Sequence, residues 1–128
     1  MRKRVLYQGT DGDAILGIIE SCQIKPNLGR IFFSEWSWQS VLMHGADLQR
    51  KAAFAVMLSV EIPDDAGTFV TETAGVADTL VVTTARPLTA EVLELYIRKP
   101  TPDGMTTEQV AGARPIKTLL LAMAAEAR

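Results

Sequence analysis

From Ala52 to Pro63 every second residue is a large hydrophobe: Phe54, Val56, Leu58, Val60 and Ile62. A period of two is the repeat of a β-strand, and a helix cannot gather those five positions on one side. This segment therefore commits the chain to a sheet with a central strand here, stopped by Pro63, which has no N–H for a ladder. Whatever else forms has to cover that strand's apolar face.

The stretch before it reads as strand, turn, helix, turn, strand. Val5-Leu6-Tyr7 is a short strand-type run that meets a turn at Gln8-Gly9-Thr10. Asp11 or Asp13 can cap a following helix, whose Ile15, Ile18, Ile19 and Cys22 recur at i, i+3, i+4 and i+7 and form one buried face. Cys22 there reads as a small apolar core residue. Pro26 and Gly29 end the helical segment, and Ile31 to Phe33 begins a buried strand. Ser34 or Ser37 can cap a second helix carrying Trp38, Val41 and Leu42, which ends near His44-Gly45.

Asp47 to Lys51 is a polar connection into the central strand. Beyond Pro63, residues 64–78 are loop-like at both ends with a weak Thr68 to Thr73 strand between them. Leu80 to Thr84 is β-branched and strand-like until Arg86-Pro87-Leu88 interrupts it. Val92 to Arg98 alternates again and is expected to be the final strand, with Glu91 at its start and Glu94 on the opposite face. Pro100 to Gly104 reads as a linker, followed by a cap near Thr106 or Thr107. Pro115 then sits in the first turn of a helix running from Ile116 to Ala127. Ile116, Leu119, Leu120 and Met123 give that helix an apolar face, which either packs back on the sheet or docks a second chain.

With 128 residues, 48% hydrophobic and 22% charged, the chain has the makings of one ordered core. A net charge of -2 provides no overall pull toward nucleic acid or an anionic membrane. The single Cys22 allows no internal disulfide and fits a reducing compartment; with only one histidine besides, too few preferred ligands remain for a zinc site. The basic start Arg2-Lys3-Arg4 resembles the head of a signal peptide, but the apolar run behind it fails at Gln8. No run approaches the roughly 20 apolar residues of a membrane span, so a soluble, cytoplasmic protein is expected.

Leu6-Tyr7-Gln8-Gly9-Thr10, the helix to Lys25-Pro26, Gly29 to Ser34 and Gln39 to Gly45 together resemble the NAD-binding half of ADP-ribosyltransferases of the diphtheria-toxin and poly(ADP-ribose) polymerase type. The resemblance spans residues 4 to 98. It implies an α+β fold, a split β-sandwich with two early helices and a C-terminal helix. Residues 1–99 would form the NAD-binding domain, and residues 100–128 a linker and a helix packed on it or on a partner. It further implies NAD as substrate, no metal, and a protein or nucleic-acid acceptor, in the manner of a bacterial or phage toxin or effector. A partner or inhibitor protein at the last helix is compatible with it.

In that family a carboxylate beside the ribose stabilises the oxocarbenium-like charge that grows as the nicotinamide bond breaks. Glu91 matches its place, ahead of a late strand. Gln8 stands where many relatives carry His and can bond a ribose hydroxyl, but it cannot change protonation near neutral pH. The resemblance assigns cofactor contacts to Gly9 and Thr10 on the first strand tip, Phe32 and Ser34 on the second strand, and Ser40 with either His44 or Trp38 on the next helix. Phe32 reads equally as a core side chain, and His44 as a helix C-terminal cap. Two other functions fit the same pattern: a catalytically silent interaction module on this scaffold, and RNA 2′-phosphotransfer to NAD, for which Arg30, Arg86 and His44 are a thin phosphate-binding set. Acceptor choice would lie in loops such as 64–78.

Overall fold

A computed structural model describes residues 2–34, 53–73 and 76–126. Its strands are β1 (Arg2–Thr10), β2 (Gln23–Ile24), β3 (Arg30–Ser34), β4 (Ala53–Ile62), β5 (Gly67–Thr73), β6 (Val76–Thr83), β7 (Leu88–Thr101) and β8 (Gly104–Ala111). The described helices are α1 (Gly12–Ser21) and α2 (Ala113–Glu126). The α+β expectation holds, with antiparallel strands and a C-terminal helix. The described strands link into one eight-stranded sheet in the order β2-β7-β4-β1-β3-β6-β5, with β8 beside β2 on the outer side of β7, and its two parts, β2-β7-β4-β1 and β3-β6-β5, meet at the pair Tyr7–Ser34.

The alternating segment becomes β4 and lies inside the sheet, between β1 and β7. Leu6 pairs with Leu58, and Leu58 with Val92, so the hydrophobic positions of three strands line up in rows on one face. Both helices cover that face. Ile15 and Ile18 of α1 and Ile116 and Leu120 of α2 join Leu6, Leu58, Leu95 and Ile97 in the main core. The helices also touch: a Cβ on Gly12 would lie 3.6 Å from Leu120, an ordinary van der Waals distance. Thus α2 packs on its own sheet.

Local chemistry explains the ends of α1. Asp11 caps it, its Oδ1 accepting from the Ala14 N–H at 2.8 Å. The helix stops at Ser21, short of Pro26, because Cys22 turns left-handed at φ 55° and gives its N–H to the Ile18 carbonyl at 2.8 Å. Cys22 is consequently exposed, not the core residue its helical spacing implied. The next two residues leave the helix axis and pair with β7.

The C-terminal third departs most from expectation. Pro100 to Gly104 is not a linker: Thr101 and Gly104 pair at the tip of a β7–β8 hairpin, and residues 104–111 form a strand. A boundary after residue 99 would therefore cut through β7. The strand escaped notice because its solvent-exposed Thr, Glu and Gln residues carry no alternating apolar signal; its partner strand supplies the ladder. Gly112 then takes φ +93° to turn β8 into α2, a conformation that favours glycine, and donates its N–H to the Leu93 carbonyl at 2.8 Å.

That carbonyl belongs to a β-bulge. Met57 pairs with Glu94 but Leu58 pairs with Val92, so Leu93 is one residue more than β4 can match. The bulge reverses the parity of β7. Leu88, Ala90 and Val92 before it and Leu95 and Ile97 after it all reach the same core, although their numbers change from even to odd.

Candidate functional site

Among the described residues, neither helix covers the other face of the sheet. On β1 it carries Val5 and Tyr7; on β4, Ala55, Met57 and Ser59; on β7, Glu91, Glu94 and Tyr96. Because of the bulge, Glu91 and Glu94 share this face, contrary to the opposite-face expectation that simple alternation implies. Tyr7 pairs with Ser34, which puts Phe32 on this face too, and Phe32, Val81 and Phe69 stand abreast across β3, β6 and β5.

Val81 is fully buried between its two aromatic neighbours, whereas Phe32 is 54% and Phe69 44% exposed, and Val5 a further 54%. Phe32 is therefore no core side chain. Nearer β7, Ala55 and Tyr96 are buried and Tyr7 and Met57 pack over them as a small second cluster. Tyr96 donates its hydroxyl hydrogen to Glu94 Oε2. Burial, first, and then the hydrogen bond to Glu94 and that carboxylate's charge push the Tyr96 phenol well above the ordinary tyrosine range. It is a fixed donor near neutral pH and not a nucleophile. Along the edge toward β1, Lys3 and Glu61 approach to 3.9 Å, an exposed pair of small energetic weight.

The residues singled out by resemblance are only partly brought together. Gln8, whose neighbour in β4 is Val56, donates from Nε2 to the Phe32 carbonyl at 3.1 Å, tying the first strand tip to the second aromatic strand. Gly9 beside it is exposed, Thr10 pairs with Phe54 and is half-buried, and Ser34 sits opposite Tyr7. Glu91 is elsewhere. It lies in the row Glu91–Ser59–Val5, whereas continuing the β1–β3 register sets Phe32 opposite Gly9, four residues along and three strand steps across. At ~3.3 Å per residue and ~4.8 Å per strand, their backbones are about 20 Å apart. Ser40 and His44, like Trp38, fall outside the described residues.

Among the described residues, apart from the Tyr96 phenol, no charged or polar side chain is buried. None of these carboxylates thus has the dry pocket that commonly tunes a general acid. Nor do three His, Cys, Asp or Glu side chains gather among them as a metal site requires. A groove of about 400 Å³ opens beside Gly29, Thr83 and Thr84, rimmed by an exposed Arg86–Asp65 pair at 3.1 Å; of the residues expected to bind phosphate Arg86 lines it, and none of those expected to bind NAD does. No described helix is long and apolar enough to cross a membrane.

Sequence reasoning overlooked Tyr7, Met57, Phe69 and Tyr96 as members of one surface. The available signal was apolar character at both parities of a strand, as in Val5-Leu6-Tyr7: a strand with one wet face has no need of it. Comparison of the chain with protein-family models, with characterised proteins and with solved structures finds no match.

Proposed function

We propose that this chain is a protein-binding module that presents the open face of its sheet to a partner. The observation that carries this reading is the exposure of Val5, Phe32 and Phe69 on the one face that no described element covers. A soluble domain loses by leaving such groups in water, at ~25 cal/mol per Å² of apolar surface, and gains the same amount when a partner covers them. Aromatic residues and Met are the types that interface centres favour, and Tyr7, Phe32, Met57 and Phe69 supply them here. Glu61, Glu91 and Glu94 share this face with Lys3, Arg30 and Arg98, and Lys3 pairs with Glu61, so the partner surface is apolar with a margin of mixed charge. A single-stranded nucleic acid would also stack on aromatics but needs a basic groove, and the charges on this face are mixed in sign.

A photo-crosslinking side chain at position 32 should capture the partner in cells, whereas the same group at Glu20 on α1 should not. Phe32→Glu should abolish capture while leaving the circular dichroism spectrum unchanged. Equal capture from both positions would refute the assignment of this face.

One observation favours NAD-dependent ADP-ribosyl transfer as a second reading. The Gln8–Phe32 hydrogen bond keeps together two strand tips that the family resemblance sets around nicotinamide, with exposed Gly9 between them. The position of Glu91 weighs against a single cleft. Thermal denaturation with NAD separates the two readings, since a ligand at about 100 times its Kd adds ~2.7 kcal/mol of stability. An unchanged melting temperature favours the binding module. A shift, with turnover lost in Glu91→Gln, would favour the transferase.

A further inference from the structure

We infer that β5 is a self-pairing edge, at which the sheet joins antiparallel to β5 of a second copy of this chain. β5 ends the strand order, with β6 on one side and no described strand on the other. Residues 67–71 are all exposed. Phe69 and Val70 point to opposite faces and are 44% and 49% exposed, so this edge is apolar above and below.

An edge strand offers a row of free N–H and C=O groups whose spacing suits another strand's backbone, and proteins that must stay monomeric blunt it with Lys, Pro or an inward charge. Gly67–Thr73 contains no Lys, Arg or Pro, and its one charged residue, Glu72, stands near its end.

The identity of the pairing strand follows from self-complementarity. A two-fold axis at Val70 sets Val70 opposite Val70 of the second copy, Phe69 opposite Thr71, and Thr68 opposite Glu72. Apolar positions meet at the centre, each charged position meets a neutral one, and no like charges face each other. The edge at β8 is a poorer match, because Thr106-Thr107-Glu108-Gln109 occupies its middle and offers nothing apolar to Phe69 or Val70. Head-to-tail pairing of β5 with β8 would also propagate without closing, whereas β5 with β5 closes at two copies. The axis keeps the Phe32 faces of both copies on one side of the joined sheet, with each Phe32–Val81–Phe69 row meeting Thr71 of the other copy. This dimer requires nothing of the partner proposed above.

Sedimentation of the full chain at about 100 μM, where mass action favours association, tests it directly. The wild type should sediment at twice its 13.9 kDa mass, and Val70→Lys should return it to a monomer with unchanged circular dichroism. Val70→Cys in a Cys22→Ser background supplies an independent readout that does not require a disruptive charge. Directly opposed antiparallel residues have Cα atoms ~4.5–5.5 Å apart, within disulfide range, so mild oxidation should link the two copies. A wild-type monomer, species that grow beyond two copies, or a dimer in which Val70→Cys fails to cross-link would overturn the inference.

Discussion

Val5 and Leu6 are neighbours in the chain with opposite environments, which makes them a sharp test of which sheet face the helices cover. Leu6 is fully buried in the main core, in register with Leu58, whereas Val5 is 54% exposed on the open face. Leu6→Ala deletes three carbons from a closed environment. At ~0.8 kcal/mol per buried CH₂ the transfer loss is about 2.4 kcal/mol, and an incompletely collapsed cavity raises it to ~3 kcal/mol. With ~2.1 cal/mol/K of unfolding entropy per residue, a chain of 128 residues loses about 1 °C of Tm per ~0.27 kcal/mol, so Leu6→Ala should lower Tm by about 11 °C. Val5→Ala should cost about 0.5 kcal/mol, or ~2 °C, as a surface change with some loss of strand propensity. Paired thermal melts by circular dichroism, checked by urea titration at constant m-value, measure both. Equal losses at the two positions would mean that something covers both faces of β1, and the binding surface would go with that result.

Two further outcomes follow from local geometry. Tyr96 keeps its proton in the folded chain to higher pH than in the unfolded chain, through burial and Glu94. Above pH ~10 the unfolded state therefore binds fewer protons and stability falls, by up to ~1.36 kcal/mol per pH unit; below that pH both states are protonated and this contribution is constant. Urea denaturation of wild type and Tyr96→Phe should show a difference that shifts against the wild type between about pH 9 and pH 11, and a constant difference would contradict the assigned environment. Cys22 holds a left-handed conformation at φ 55° in an exposed C-cap, so Cys22→Gly should raise stability by roughly 0.5–1 kcal/mol in the same assay. A loss there would argue that its thiol packs after all.

The sequence by itself determined the elements with a strong period or a dedicated punctuation residue. Strict alternation through Phe54 to Ile62 specified an interior strand, the Asp11/Asp13 pair a helix start, and the Ile116, Leu119, Leu120 and Met123 spacing a C-terminal amphipathic helix. Each of these signals is local, because backbone geometry fixes which side chains share a face. Only the tertiary structure decided the rest. Leu93, Leu95 and Ile97 look like one face of β7 until β4 forces a bulge at Leu93 and brings Val92 inward in its place. That single extra residue also brings Glu91 and Glu94 to the same side. β8 exists because β7 offers it a ladder, and Cys22 is exposed because the helix ended at Ser21, one residue before its own periodicity required. Which face α1 and α2 cover is a property of where they settle, and pairing partners of that kind are set by residues distant in the chain, which no local repeat can encode.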